Sequence, residues 1–239
     1  MTMAEPGGRV SLRFKLEGTK GDLGRWGHEF LRSLAGEIGQ EYTARRMKIV
    51  AAMEEAEEAG IGVEAMDDDG EADVLDLMEL VDDIVPFHLQ HNAEAEAVDL
   101  LVEVQRLKKL LEHPYVDEKN YERVCLYLLR MADYMSDPDD LTARIKEMMS
   151  TAFELYRMQG KFCDAVRVAL CMDDQDRLAQ LLAECEDDRV RQQMSFMMGR
   201  HRSSYEHPDD DDINDIIGNG TLSEHYLALG RDLDVMDAK

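Results

Sequence analysis

Residues 151–185 read TAFELYRMQGKFCDAVRVALCMDDQDRLAQLLAEC, apolar-striped segments separated by only a few polar residues. After Gly160 the apolar positions are Phe162, Ala165, Val166, Ala169 and Leu170; after Asp176 they are Leu178, Leu181, Leu182 and Cys185. This is the i, i+3, i+4, i+7 spacing of one buried helix face. Helices below ~12 to 15 residues are marginal alone in water, so each must cover its stripe with a sequence neighbour. The pattern therefore predicts helical hairpins stacked in chain order.

The same spacing extends along most of the chain. Leu12, Phe14 and Leu16 alternate as in a strand and fit a helical stub equally well. From Asp22 a helical stretch is expected to Ala59, with Trp26, Phe30, Leu34 and Ile38 on one stripe and Gly60 as its stop. Gly24, Gly27, Gly36 and Gly39 each cost roughly 1 kcal/mol there relative to alanine, which predicts an interruption or a closely packed neighbour. Val74, Leu77, Met78, Val81, Ile84 and Val85 predict a helix with its acids outside, ended or kinked at Pro86. Asn92 is a candidate cap for a helix to about Leu111, and Val98, Leu100, Leu101, Val102 and Val104 leave it little exposed face, which places it centrally.

His113-Pro114 marks a break, and Asp117 is a candidate cap for a helix bearing Tyr121, Val124, Cys125, Leu128 and Ala132. Asp137-Pro138 opens a helix through Met158, and Val190, Met194, Met197 and Met198 mark a later one. About nine helices without a fixed period predict an all-α fold, an irregular α-solenoid of stacked helical hairpins rather than a tetratricopeptide or ankyrin array. Residues 1–20 read as an N-terminal extension and 21–206 as the solenoid. Residues 207–220 read as an acidic linker holding a short helical turn at 213–217, and 221–239 as a C-terminal helical piece.

Charge narrows the partners. The 52 acidic and 27 basic residues leave a formal charge of -25, which disfavours nucleic acid and anionic membrane surfaces and favours basic partner surfaces, unless the acids serve only solubility. Nine acids and no base lie between Asp67 and Asp83. No apolar run approaches the ~18 residues of a membrane span, and the opening MTMAEPGGRVSLRFKLEGTK holds no signal-type apolar core. The chain reads as intracellular and soluble, with Cys125, Cys163, Cys171 and Cys185 as buried, reduced thiols outside any C-x-x-C pair.

Candidate chemistry is sparse. His88, His91 and Glu94 follow at i, i+3, i+6, but zinc needs three or four converging ligands, the H-E-x-x-H order is absent and Asn92 breaks the helix, so capping or packing is the plainer role. Asp67-Asp68-Asp69-Gly70 lacks the alternating ligands of a calcium loop and, like the aspartates at 209–212, reads as solvated. Neither a G-x-x-x-x-G-K-[ST] loop nor a G-x-S-x-G elbow occurs. No catalytic, cofactor-binding or metal-binding residue is assigned, no cofactor is expected, and the chain is not expected to be an enzyme. The 16 methionines read mainly as core filling and Trp26 as a packing anchor between helices.

Three segments carry a family resemblance: Arg25-Trp26-Gly27-His28-Glu29 with Leu34-Ala35-Gly36-Glu37; Val85-Pro86-Phe87 leading into Gln90-His91-Asn92-Ala93-Glu94-Ala95-Glu96-Ala97; and Val124-Cys125-Leu126-Tyr127-Leu128. Together they resemble the family of the larger non-ATPase scaffold subunit in the base of the proteasome regulatory particle. Residues 162–170, 192–201 and 227–236 continue the likeness in the same order, so that it covers about 11–239. The resemblance implies a non-catalytic scaffold serving ubiquitin-dependent protein degradation in cytoplasm and nucleus, beside regulatory-particle subunits that include the ATPase ring. It also implies that these residues are the amino-terminal helical part, without the usual acidic leader, of a longer subunit or a truncated product. In that family a repeat toroid follows, and it carries most docking surfaces for ubiquitin, ubiquitin-like receptors and a deubiquitinase, so none of those sites is carried onto this chain. Without the resemblance, a free-standing α-solenoid protein–protein adaptor is the alternative, and a metal-dependent hydrolase built on His88, His91 and Glu94 the third reading.

Leu101→Asp and Val166→Asp each place a carboxylate on a predicted buried stripe. Both are expected to destabilise by about 4 kcal/mol or more, with Asp68→Ser and Asp210→Ser near neutral, in thermal melts.

Overall fold

The computed structural model describes residues 9–18, 23–58, 72–112, 115–134, 141–218 and 224–233. Among these residues the fold is all-α, with eleven α-helices, two 3-10 turns and no strand. Two compact units divide the chain, residues 1–136 and 137–239. The first holds α1 (Val10–Glu17), α2 (His28–Glu58), α3 (Leu75–Gln90), α4 (Glu94–Glu103) and α5 (Tyr121–Tyr134), with 3-10 turns at Leu23–Trp26 and Leu107–Leu111. The second holds α6 (Leu141–Met158), α7 (Phe162–Cys171), α8 (Gln175–Glu184), α9 (Asp188–His201), α10 (Asp211–Ile217) and α11 (Glu224–Asp232).

Packing follows chain order. In the first unit α4 lies against α2, α3 and α5, and its Ala97, Val98, Leu100 and Leu101 are buried, as its nearly all-round apolar sequence predicts. In the second, α7 packs against α6, α8 and α9, burying Ala165, Val166, Val168, Ala169 and Leu170. Leu178, Leu181, Leu182 and Cys185 are likewise buried, as are Met194 and Met198 of α9, whose core role the spacing anticipates.

Basic side chains tie neighbouring helices together. Arg45 of α2 donates Nη1 and Nη2 to the two carboxylate oxygens of Asp76 on α3 at 2.7 and 3.1 Å, and Nε to Glu41 at 2.9 Å. The hydrogen bond from Arg45 is the main reason that the Glu41 carboxyl is held below its ordinary range. Lys109 pairs with Asp82 of α3, and Arg123 of α5 donates Nε to Glu94 of α4 at 2.8 Å. In the second unit Arg177 of α8 lies 4.6 Å from the centre of the Phe153 ring on α6.

Five of the helix ends share one backbone device. Asn92, Gln105, Gly160, Asp173 and Arg202 all have φ between 52° and 66°. At each, the amide of the next residue donates back five positions: Ala93 to His88, Arg106 to Leu101, Lys161 to Tyr156, Asp174 to Ala169 and Ser203 to Met198, at 2.9 to 3.1 Å. This is the Schellman end, in which a left-handed residue lets the chain close over the last carbonyls of a helix. Four of the five positions are not glycine.

The structure resolves the expectations left open and corrects others. The Leu12 segment is helical, and α1 is anchored to α2 by the Leu12 amide, which donates to Glu37 at 2.8 Å. The helix expected from Asp22 begins only at His28, because Gly27 at φ 83° separates it from the 3-10 turn that holds Trp26. Both readings of the glycines hold, since a Cβ on Gly39 would collide with the Glu103 carboxylate of α4. Pro86 does not end α3, which continues to Gln90 with Ile84, Val85, His88 and Leu89 buried around the proline. Asn92 does not cap the following helix; its left-handed backbone terminates α3, and Ala93 is the N-cap of α4. That helix stops at Glu103 because Gln105 turns the chain into the Leu107–Leu111 turn.

Asp117 does act as a cap, its Oδ1 accepting from the amides of Lys119 and Asn120 at 2.9 and 3.1 Å. Asp210, read as solvated, is instead the N-cap of α10: it accepts from the Ile213 amide at 3.1 Å and from Arg191 at 3.2 Å. Eleven helices among the described residues stand beside the about nine expected, and α1, left open in the sequence, is one of them. Gly60, the aspartates at 67–69, His113-Pro114 and Asp137-Pro138 lie outside the described residues.

Gly160 has φ 66° and open space where a Cβ would sit, so Gly160→Ala adds backbone strain without a clash and is expected to cost about 1 kcal/mol. Gln105→Gly removes the same kind of strain and is expected to raise the melting temperature, the gain reduced by the freer unfolded chain. Calorimetric melts of the two variants check the opposite signs.

Candidate interaction surfaces

The sequence candidates for chemistry take separate structural roles. His88 of α3 is 1% exposed, and neither ring nitrogen has a hydrogen-bond partner. His91, exposed at the end of α3, stacks on Phe87 with ring centroids 4.0 Å apart and donates Nδ1–H to the Phe87 carbonyl at 2.7 Å. Glu94 begins α4 and is held by Arg123. Among the described residues, no group of three or more His, Cys, Asp or Glu side chains is placed to hold a metal ion.

The sequence reading missed His28. Gly27 swings the start of α2 so that the His28 ring lies 5.0 Å from Phe87, 5.1 Å from His91 and 6.3 Å from His88. Burial is the main cause that pushes the His88 imidazole below its ordinary range, with His28 and His91 adding repulsion and Glu96 opposing it. The signal available was the Arg-Trp-Gly-His run, whose glycine marks a break just before the ring.

A groove of about 360 Å³ runs between α2, α4 and α5, floored by Ala35, Gly36 and Leu100 and edged by Glu96, Asp99 and Glu103. Tyr127 donates its hydroxyl to Asp99 at 2.8 Å, and burial followed by that contact pushes the phenol up to about 12. Burial, then the charge of Asp99, raises the Glu103 carboxyl. A second groove, about 460 Å³, is formed in the other unit by Ile145, Lys146 and Met149 with the turn from Met172 to Asp176. Neither groove could be read from the sequence, because helical spacing does not say where the outer faces of three helices diverge.

The thiols divide. Cys125 and Cys185 are buried as expected, whereas Cys163 is half-buried and Cys171 exposed at the end of α7, which corrects the expectation of four buried thiols. Burial raises the Cys163 thiol. Trp26, expected as an interhelical anchor, packs its ring 5.1 Å from Phe30 and 6.1 Å from Phe14, yet stays 52% exposed. No helix among the described residues is long and apolar enough to cross a membrane.

Helices packed on their sequence neighbours, joined by left-handed turns and fringed with carboxylates, define an all-α protein of the helical-stack class. Comparison with known proteins makes this specific: a model of the RPN1 N-terminal domain matches residues 1–239, and the chain belongs to that family. It is similar to the 26S proteasome non-ATPase regulatory subunit 2 homolog A of Arabidopsis thaliana, 42% identical over 247 residues that cover 100% of this chain and 24% of that protein. The 26S proteasome non-ATPase regulatory subunit 2 of Dictyostelium discoideum is 36% identical over 232 residues, 97% of this chain and 23% of that protein. The 26S proteasome regulatory subunit rpn1 of Schizosaccharomyces pombe is 34% identical over 229 residues, 96% and 22% respectively. The chain thus spans less than a quarter of each of these three relatives.

His88 generates a pH prediction. Its folded pKa lies below the unfolded value of about 6.5, so the unfolded chain binds the proton more readily. The stabilising neutral form is present above that value and lost as pH falls through it toward the lowered folded pKa. His88→Leu removes this loss; urea unfolding at a series of pH values is expected to show the stability difference shifting toward the variant below about pH 6.5.

Proposed function

We propose that this chain is a non-catalytic scaffold segment of the proteasome regulatory particle base that supports ubiquitin-dependent protein degradation in cytoplasm and nucleus. The match of all 239 residues to the RPN1 N-terminal domain carries the reading. The names of its relatives, non-ATPase regulatory subunits of the 26S proteasome, support it. A helical stack suits the role physically, because its lateral faces offer long surfaces to other subunits while each helix is held by its neighbours. The partners on this reading are regulatory-particle subunits, the ATPase ring among them. Ubiquitin and ubiquitin-like receptors are expected to engage the repeat toroid of the longer relatives rather than this helical region.

Affinity purification of the tagged chain from cells is expected to recover named regulatory-particle ATPase and non-ATPase subunits, with ATP and ubiquitin-chain hydrolysis at background. Recovery of unrelated partners without any regulatory-particle subunit would instead support the free-standing adaptor. Titration with labelled ubiquitin at physiological salt is expected to give no saturable binding, and saturation would place a receptor site in this segment.

A further inference from the structure

The outer face of α9 is a basic stretch in an acidic chain. Residues 189–205 hold Arg189, Arg191, Arg200, His201 and Arg202 and no acid, whereas the whole chain carries -25. Arg157, Arg167, Arg177 and Arg191 of the same unit pair with carboxylates. The side chains of Arg189, Arg200 and Arg202 do not: all three residues are exposed, and among the described residues no carboxylate partners them. At ~100° per residue, Arg189, Gln193, Phe196 and Arg200 fall within about 60° of one another and form one stripe. All four are exposed, Phe196 by 60%. The packed sectors of α9 point elsewhere. α7 covers the side on which Met194 and Met198 are buried. α10 lies along the side that runs from Arg191, which reaches Asp210, to Gly199, where a Cβ would stand 2.8 Å from the Ile217 carbonyl oxygen. The centres of both sectors lie about 130° or more around the helix from the stripe.

Charge and spacing together specify the occupant. Along the axis Phe196 lies about 10 Å from Arg189 and about 6 Å from Arg200. Aromatic and arginine side chains are the types in which binding energy concentrates, and a guanidinium without an anion favours a ligand that supplies a carboxylate. We infer that the Arg189–Phe196–Arg200 stripe is a docking surface for an acidic helical segment of another protein, which lays a large apolar side chain on Phe196 and a carboxylate on each arginine. The neighbouring acids are already engaged: Asp187 accepts from the Arg189 amide as the helix cap, Asp188 lies 3.8 Å from Arg191, and Asp210 is held by Arg191. A short segment responds to the stripe itself, because charges beyond the ~8 Å screening length contribute little. A nucleic acid extends past both ends and meets Glu186 to Asp188 on one side and Glu206 with the aspartates at 209–212 on the other. This inference stands independently of the proteasome reading, since it rests on α9 and the helices packed on it.

Fluorescence anisotropy of a labelled peptide tests the surface on the intact chain. The peptide is an alanine-based helix of about 15 residues with glutamates about eleven positions apart, and leucine and phenylalanine one and two turns in from the first of them. A saturable rise at physiological salt is expected, weakened about tenfold by Phe196→Ala and several-fold by Arg200→Gln, the latter also flattening the salt dependence. Arg167→Gln makes the same charge change at an exposed position of α7, and Met158→Ala removes an apolar side chain 56% exposed on α6. Both are expected to leave binding unchanged, with circular dichroism confirming that each variant is folded. Absence of saturable binding, equal binding of the peptide with lysine in place of glutamate, or wild-type affinity in folded Phe196→Ala or Arg200→Gln would overturn the inference. Equal affinity for a single-stranded oligonucleotide would assign the stripe to nucleic acid, and sedimentation showing a dimer that Phe196→Ala dissolves would assign it to a second copy of the chain; either outcome overturns it as well.

Discussion

Short helices that cannot persist alone set the terms for this molecule. α4, α7 and α8 have ten residues each, below the length at which an isolated helix is stable in water. Each exists because its apolar stripe is covered at once by elements close in sequence, α4 by α2, α3 and α5, and α7 by α6, α8 and α9. The core residues of these two helices are therefore worth more than their own contacts. Removing Leu101 or Val166 withdraws the support of every helix that leans on them.

Electrostatics is layered onto that scaffold. The chain carries 52 acids and 27 bases; among the described residues Glu94 is the only buried acid, and several of the bases act as clamps between consecutive helices. Arg45 grips Asp76 with two nitrogens, Arg123 holds Glu94 and Arg191 reaches Asp210. The fork of a guanidinium fits a carboxylate in a fixed orientation, so such a pair sets helix register as well as neutralising charge. Where carboxylates gather without such a clamp, along the groove at Glu96, Asp99 and Glu103, burial and mutual repulsion raise Glu103 instead.

Much of the fold was legible because helical spacing is a local signal. Val74, Leu77, Met78, Val81, Ile84 and Val85, then Leu178, Leu181, Leu182 and Cys185, and Met194 and Met198 of α9 were placed on buried stripes by periodicity, and they are buried, whereas Met197 is only half-buried. Boundaries were less legible, because they depend on single backbone conformations. Gln105 and Asp173 occupy the left-handed region although nothing in their side chains requires it, so only tertiary closure reveals where α4 and α7 stop. Pro86 left an end or a kink open in the sequence, and burial on both sides carries α3 on past it. The candidate surfaces were the least legible part: the histidine cluster and the acidic groove each join elements far apart in the chain.

The Schellman turns bear on how the chain acquires its structure in time. Asp173 ends α7 and the very next residue, Asp174, caps α8 by accepting the Arg177 amide, so the connection has almost no slack. Adjacent helices joined this tightly meet as soon as both have formed, without the entropy loss of closing a long loop. Low contact order of this kind favours rapid folding, and it lets a nascent chain lay each helix onto the one before it during synthesis. Assembly from the amino terminus onward is favoured by the three-residue joints between α3 and α4, α6 and α7, and α7 and α8.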